Sequence, residues 1–189
     1  MINFEEYIER FKTLLNSEVL PPPYDDEKYF NYLKLNFTRH NRWLKSGEIQ
    51  EELANIIEAI EQKQKWIVIT EPWCGDAAHT VPFIYKAADV SSIIELYFSW
   101  RDETPSLIDK YLTNGTKSIP KLIVRDENDK DLFTWGARPA ACQKLYKELE
   151  NENESPEEIK MNLQKWYNKD KGISFQKELA KKLKKITSM

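Results

Sequence analysis

A short apolar strand followed at once by a helix is the feature that most constrains the fold of this chain. Residues 66–70 are apolar and largely β-branched, which is typical of a buried strand, and residues 71–74 lead into a helix that we expect to reach about Ala88. Cys74 then lies on the first helical turn, where unpaired backbone N–H groups and the positive end of the helix dipole stabilise a thiolate. We therefore predict a lowered pKa and a nucleophilic sulfur at Cys74.

The segments after this helix alternate between strand and helix patterns. A hydroxyl cap and a proline at Thr104 and Pro105 predict a helix start, and Asn114 with Gly115 predicts its end. A final core helix is expected after Pro139. Strands are predicted at 91–100, 119–124 and 131–135, the last two joined by a turn-rich hairpin loop over 126–130. This order predicts an α/β fold, a three-layer sandwich around a mixed sheet.

Helical patterns extend beyond this core at both ends of the chain. Apolar residues recur at helical spacing over 2–16, 26–44 and 49–60 in the N-terminal part and over 157–167 and 173–186 in the C-terminal part. The three prolines at 21–23 predict a rigid spacer between the first two helices. We therefore divide the chain into an N-terminal helical extension (1–64), an α/β core (65–150) and a C-terminal helical extension (151–189).

Composition narrows the class of protein and its partners. Hydrophobic residues make up 41% of the 189 residues, which is enough for a packed core. The net charge of −3 provides no single-sign field for nucleic acid or anionic lipid. The chain carries no signal-peptide pattern and no apolar run of membrane-spanning length, and its two cysteines suit a reducing compartment. We expect a cytoplasmic protein with neither nucleic acid nor membrane as partner.

The motifs around Cys74 resemble those of the thioredoxin superfamily over residues 66–149. Trp73-Cys74-Gly75 is similar to the start of the thioredoxin active-site motif, and Pro82 follows at the family spacing. Ser118-Ile119-Pro120 resembles the family's cis-proline loop, and Gly136 occupies the place of the glycine that flanks the substrate groove. The sequence Trp-Cys-Gly-Asp-Ala, together with Arg101-Asp102-Glu103 and residues 135–139, looks more narrowly like a branch of bacterial thioredoxin-like proteins.

The resemblance implies a role for each landmark. Pro120 would follow a cis peptide bond, and the backbone of Ile119 would lie beside Cys74 and pair with an extended substrate segment. Trp73 would cover one side of the sulfur, or else pack only on the end of the strand. Gly75 and Gly136 would border the groove.

Two substitutions separate the chain from a dithiol thioredoxin. Ala77 stands where the family has the second cysteine, whose sulfur releases a bound substrate. Val68 stands where the family has the buried carboxylate that assists that step. The resemblance therefore implies either a monothiol site or a fold whose redox role has lapsed.

Three other residues, Cys142, Asp76 and His79, could each have either a chemical or a structural role. Cys142 could resolve a mixed disulfide, but its helical face with Leu145, Tyr146 and Leu149 favours a small buried apolar residue. Asp76 suits the helix dipole and opposes a thiolate at Cys74, so its two effects compete. His79 follows three residues later, a spacing that favours a structural contact with Asp76 over a catalytic base.

Three charged residues are candidate groove residues, and a metal site is not expected. Arg101 and Asp102 follow the second strand and Arg138 lies beside Gly136, so all three could rim the groove. Either arginine could act on the thiol or on a substrate carboxylate, or form an ordinary ion pair. Cys74, Asp76 and His79 do not offer a workable zinc geometry, and we predict neither a metal nor another cofactor.

We expect Cys74 to exchange disulfides with protein or low-molecular-weight thiols, an external thiol completing each cycle. The alternative is a non-catalytic module that binds an extended peptide in the same groove. The predicted binding residues are Trp73, Gly75, Asp76, Arg101, Ile119, Pro120, Gly136 and Arg138.

Overall fold

The computed structural model describes residues 1–187 and contains one mixed four-stranded sheet. The strands are β1 (Gln64–Thr70), β2 (Ile94–Trp100), β3 (Lys121–Asp126) and β4 (Asp131–Gly136), in the spatial order β2-β1-β3-β4. Strand β1 pairs in parallel with β2 and antiparallel with β3, and β3 pairs antiparallel with β4. The burial of β1 on both faces matches its run of apolar residues, since helices cover both sides of the sheet.

Within residues 1–187, seven α-helices accompany the sheet. They are α1 (Phe4–Asn16), α2 (Glu27–Ser46), α3 (Glu51–Glu58), α4 (Gly75–Ala88), α5 (Ala140–Asn151), α6 (Pro156–Asp170) and α7 (Ile173–Thr187). Capping boxes begin α1 at Asn3 and α6 at Ser155, because each cap side chain and the glutamate three residues later satisfy each other's backbone N–H groups. The prediction of an α/β sandwich with helical additions at both ends is confirmed.

The segment after β2 differs from its predicted helix. Between Thr104 and Asn114 the structure forms only a 3₁₀ turn, Leu107–Lys110. Ile108 is fully buried there, and the hydroxyl of Tyr111 donates to the Asp131 carboxylate at 2.7 Å and accepts from Arg125 at 2.8 Å. Short helices are marginally stable without tertiary contacts. Here the contacts with the sheet are made by individual residues, Ile108 and Tyr111, and not by one face of a helix.

The helical extensions pack against the core. Backbone hydrogen bonds join Ile2 to Phe98 at 2.9 and 2.8 Å, so the N-terminus covers part of the β2 edge. Helix α2 packs along α4, and α7 contacts α3 and β4. The turn between α6 and α7 lies directly on Phe83 of α4 at Gly172, where φ is +78° and a Cβ atom would approach that ring to 2.6 Å. Only glycine fits this position, which fixes the C-terminal helices against the helix that begins at Cys74.

Within residues 1–187, no helix combines the length and the apolar character needed to cross a membrane.

Candidate active site at Cys74

Cys74 is the N-cap residue of α4 and lies beside the Pro120 loop. Its Sγ atom donates a hydrogen bond to the backbone oxygen of Ile119 at 3.4 Å. The Ile119–Pro120 peptide bond is cis. The side chains of Cys74 and Ile119 are each only 6% exposed. The tertiary structure therefore brings together two motifs that are 45 residues apart in the chain.

The predicted lowering of the Cys74 pKa is wrong. The pKa of the thiol is raised to about 12, chiefly by burial and in smaller part by the negative charge of Asp76. The backbone N–H groups of Ala77 and Asp76 and the charge of Arg138 act in the opposite direction, but they do not compensate. The helix N-terminus does act as expected on the sulfur, yet removing the anion from water outweighs it. The thiol is neutral at physiological pH, which agrees with its role as a hydrogen-bond donor.

Asp76 is held by two partners from elsewhere in the chain. The Nε atom of Arg138 lies 2.8 Å from Oδ2, and the hydroxyl of Tyr167 in α6 donates to Oδ1 at 2.8 Å. The guanidinium of Arg138 also covers the ring of Tyr146 at 4.4 Å. Both partners of this ion pair are largely buried, so each depends on the other for compensation of its charge. The C-terminal extension thus contributes directly to the surroundings of the thiol.

His79 contacts other residues than the predicted Asp76. Its Nδ1 atom accepts from the indole N–H of Trp43 at 2.8 Å, so its Nε2 atom carries the proton and donates to Gln164 at 2.9 Å. The ring stacks on Tyr167 at 4.6 Å. Burial lowers the pKa of His79 to about 4. The residue is a neutral structural link between α2, α4 and α6, and the predicted His–Asp pair is replaced by these contacts.

Trp73 is clamped between two side chains. The guanidinium of Arg101 lies 4.5 Å from the Trp73 ring and also pairs with the Asp102 carboxylate at 2.7 Å, while Tyr29 of α2 meets the indole edge-on at 5.9 Å. Arg101 thus holds the tryptophan as well as its own ion pair. Gly75, the next residue but one, is less crowded, since a Cβ atom there would meet only Arg39 at 3.9 Å.

Gly136 supports the Pro120 loop from β4. Its φ of +126° is a backbone conformation that glycine adopts readily and other residues rarely adopt. A Cβ atom at this position would also overlap with the backbone oxygen of Pro120. The residue pairs with Lys121 at the end of the β3–β4 ladder. Gly136 therefore lets β4 approach the backbone of the loop that contacts the Cys74 sulfur.

The groups that would complete a dithiol cycle are replaced by apolar contacts. Ala77 and Val68 are buried in the main core. Cys142 is fully buried in a second apolar cluster with Leu163 and Tyr167, and burial raises its pKa to about 12. The prediction that Cys142 is a small buried residue is confirmed. Neither cysteine forms a disulfide, and no three acidic, cysteine or histidine side chains among residues 1–187 are grouped as metal ligands.

Sequence reasoning missed several polar residues near the end of β1. In the sequence, Tyr7 has only the signal of helical apolar spacing, Thr70 and Glu71 have only those of a strand and a turn, and Tyr24 has none. All four are at most 9% exposed. Burial raises the pKa of Glu71 to about 7, even though Oε1 accepts the backbone N–H of Asp102 at 3.0 Å. The sequence signal for this site was a glutamate directly after a buried strand and three residues before Cys74, because glutamate is rarely buried.

The geometry agrees with comparisons to known proteins. Residues 23–151 match the model of a thioredoxin family. No curated protein matches the chain. Among solved structures, an HIV epitope scaffold is 16% identical, with a TM-score of 0.54 and 99% of each chain covered. A protein of unknown function from Pseudomonas aeruginosa is also 16% identical, with a TM-score of 0.49 and coverage of 92% of this chain and 99% of that one.

A third structure is the N-terminal domain of the alkyl hydroperoxide reductase subunit AhpF from Enterococcus faecalis. It is 15% identical, with a TM-score of 0.39 over 51% of this chain and 45% of that one. At 16% identity the epitope scaffold supports only the fold, and no conclusion is drawn from the other two structures, whose TM-scores are below 0.5. The family match spans more than two thirds of the chain and includes both Cys74 and Pro120. The chain therefore belongs to the thioredoxin family.

Proposed function

We propose that Cys74 carries out monothiol thiol–disulfide exchange with disulfides presented at the Pro120 loop. The observation that carries the proposal is the position of Sγ, 3.4 Å from the backbone oxygen of Ile119. A substrate segment lying along this loop would bring its disulfide to the sulfur. The bordering residues are Trp73, Gly75, Asp76, Arg101, Pro120, Gly136 and Arg138.

The exchange balances with one protein sulfur and an external thiol. The Cys74 thiolate attacks one sulfur of the substrate disulfide, forming a mixed disulfide and releasing the other sulfur as a thiolate, which takes up a proton. A low-molecular-weight thiol then attacks the substrate sulfur of the mixed disulfide. This step regenerates Cys74 and leaves a disulfide between the external thiol and the substrate. Ala77 removes the internal route, so the external thiol is required.

The raised pKa means that the resting thiol must lose its proton when it reacts. With a pKa of about 12, the thiolate fraction at pH 7 is on the order of 10⁻⁵. Exchange should therefore accelerate steadily towards alkaline pH. The same observation favours a second candidate function, a non-catalytic module that binds an extended peptide at the Pro120 loop and keeps Cys74 as a buried neutral residue.

One comparison separates the two functions. Reduction of a model disulfide by glutathione is measured with the wild type, Cys74→Ala and the control Cys142→Ala, whose sulfur lies in the second apolar cluster. Monothiol exchange predicts that Cys74→Ala loses at least about tenfold in rate while Cys142→Ala keeps the wild-type rate. Equal rates for the wild type and Cys74→Ala would reject exchange and leave the binding module.

A further inference from the structure

Arg39 of helix α2 lies directly beside the turn that carries Cys74. Its Nη1 atom is 3.9 Å from the point where a Cβ atom of Gly75, the residue after Cys74, would be placed. The same Nη1 atom donates to the side-chain oxygen of Asn36 at 3.1 Å. Asn36 is 1% exposed, and its amide group donates to the backbone oxygen of Pro72 at 3.1 Å. Asn36 therefore attaches α2 to the residues before Cys74 and holds the Arg39 guanidinium next to the residue that follows it.

Arg39 is partly buried, yet its charge is not compensated. Neither Arg39 nor Arg42 forms an ion pair with an acidic side chain among residues 1–187. Burial lowers the pKa of Arg39, and the charge of Arg42, three residues further along the helix, lowers it in the same direction. A guanidinium has five N–H donors, and the bond to Asn36 uses one of them. A partly buried cation costs stability unless an anion compensates it, so a bound anion is the partner that this position lacks.

The groups around the second arginine are neutral as well. The Nη2 atom of the exposed Arg42 donates to the amide oxygen of Asn168 in α6 at 2.6 Å. The same oxygen accepts from the amide group of Gln164 at 2.9 Å, and Gln164 also bonds the neutral ring of His79 at 2.9 Å. The charges of Arg39 and Arg42 both lower the pKa of His79, so both lie close to the first turns of α4. Helices α2 and α6 thus present two positive charges among amides and a neutral imidazole.

We propose that Arg39 binds a carboxylate of the low-molecular-weight thiol that completes the exchange cycle, an inference that rests on the proposed exchange function. The guanidinium can offer two parallel N–H donors to a carboxylate, the geometry in which arginine recognises this group best. Arg42 adds a second positive charge, which attracts an anion to the same surface. A carboxylate held at Arg39 places the thiol of the same small molecule beside Gly75, within reach of a mixed disulfide at Cys74.

The two arginines predicted for the groove are already paired. Arg138 pairs with Asp76 at 2.8 Å, and Arg101 pairs with Asp102 at 2.7 Å. A ligand carboxylate would have to compete with these acidic side chains at either position. At Arg39 it would meet no such competitor among the described residues. The N-terminal extension, which supplies Arg39, is then part of the binding site for the external thiol.

The first test measures binding without any exchange. S-methylglutathione, which has two carboxylates and a blocked sulfur, is titrated by calorimetry against the full chain carrying Cys74→Ala, and its diethyl ester is titrated in the same way. Arg39→Gln and the control Lys34→Gln are each added to this background. Lys34 is an exposed cation on the same helix, so the control removes an equal charge away from the turn. Urea denaturation of each variant verifies that it remains folded.

We expect the diester to bind at least about tenfold more weakly than S-methylglutathione, because the charged hydrogen bonds are lost. Arg39→Gln should weaken the binding of S-methylglutathione by a similar factor and leave that of the diester unchanged. Lys34→Gln should change the affinity by no more than about twofold at physiological salt. Equal affinities of acid and diester, or no binding of either, would overturn the carboxylate site even if Arg39→Gln did not fold. A folded Arg39→Gln variant with unchanged affinity would overturn the role of Arg39.

A second test shows whether the carboxylate belongs to the thiol or to the substrate. With the uncharged hydroxyethyl disulfide as substrate, glutathione should give faster exchange than its diethyl ester in the wild type, after subtraction of the uncatalysed rate. Arg39→Gln should remove this preference. With mercaptoethanol as the thiol, dithiodipropionate should react no faster than hydroxyethyl disulfide. A preference for dithiodipropionate that Arg39→Gln removes would assign the carboxylate to the substrate and overturn the proposal.

The two tests also separate this proposal from the exchange function. Carboxylate-dependent binding that Arg39→Gln loses, together with equal disulfide reduction by the wild type and Cys74→Ala, would support the carboxylate site and reject the exchange. Exchange that depends on Cys74 but has equal rates with glutathione and its diester would support the exchange and reject the site.

Discussion

Replacement of Glu71 by glutamine should change the pH dependence of stability. The pKa of this carboxyl is raised from its ordinary value of 4.5 to about 7 by burial, so the native state keeps its proton through a range in which the unfolded chain has lost it. The unfolded state therefore binds fewer protons between pH 4.5 and pH 7, and the free energy of unfolding falls across that interval and levels off above it. Each pH unit corresponds to about 1.4 kcal/mol, which gives a loss on the order of 3 kcal/mol.

Glu71→Gln keeps an oxygen that can accept the backbone N–H of Asp102 but cannot ionise. We expect the variant to gain on the order of 3 kcal/mol relative to the wild type between pH 5 and pH 8. Urea denaturation at intervals of pH measures the difference. The matched substitution Glu127→Gln, at an exposed residue of the β3–β4 loop, serves as the control for replacing a glutamate as such. A constant difference between wild type and Glu71→Gln at all pH values would refute the reasoning.

Three further predictions follow from the site. Gly136→Ala should destabilise the protein by about 3 kcal/mol or more, because the methyl group would overlap with the Pro120 backbone at a φ of +126°; Gly115→Ala, at a φ of +78° with no described atom within 4 Å of the added methyl group, should cost only about 1–2 kcal/mol by urea denaturation. His79 should titrate in an NMR experiment with a midpoint near pH 4, and a midpoint near 6.5 would contradict its burial. Between pH 4 and pH 6.5 the unfolded chain binds a proton at this histidine that the folded chain does not bind, so the contribution of His79 to stability should increase as the pH rises through this range. Asp76→Asn should lower the pKa of Cys74 by about one pH unit, measured by thiolate absorbance, and should destabilise the fold by about 2 kcal/mol through the unpaired Arg138; an unchanged thiol pKa would show that burial alone determines it.

Local patterns were sufficient for the elements that carry their own signal. These are the apolar strand, predicted at 66–70 and observed at 64–70, the capped helices and the turn-rich hairpin loop, whose patterns or end residues are recognisable in the sequence. The segment 104–114 has the predicted cap residues Thr104 and Pro105, yet only residues Leu107–Lys110 form a 3₁₀ turn. Its structure is decided by anchors on the sheet at Ile108 and Tyr111. Cap residues alone do not make a helix when packing favours another path.

The candidate site was only partly predictable for the same reason. Motif spacing identified Cys74, Ile119 and Pro120, which the fold brings into contact. The sign of the Cys74 pKa change was not predictable, because it depends on how much water the surrounding helices exclude. Helix dipoles can be inferred from position in the chain, but desolvation can be inferred only from packing. The contact between Asp76 and Tyr167 spans 91 residues and has no local signature.

The sequence by itself determined the α/β order, the burial of β1 and the place of a single cysteine at a helix start, since these depend on residue type and spacing along a few turns. Only the tertiary structure decided that this thiol is neutral and that Arg138 and Tyr167, from two separate segments, hold its neighbour Asp76. The physical reason is that charge and solvation depend on distances through space, which the packing of the terminal helices fixes.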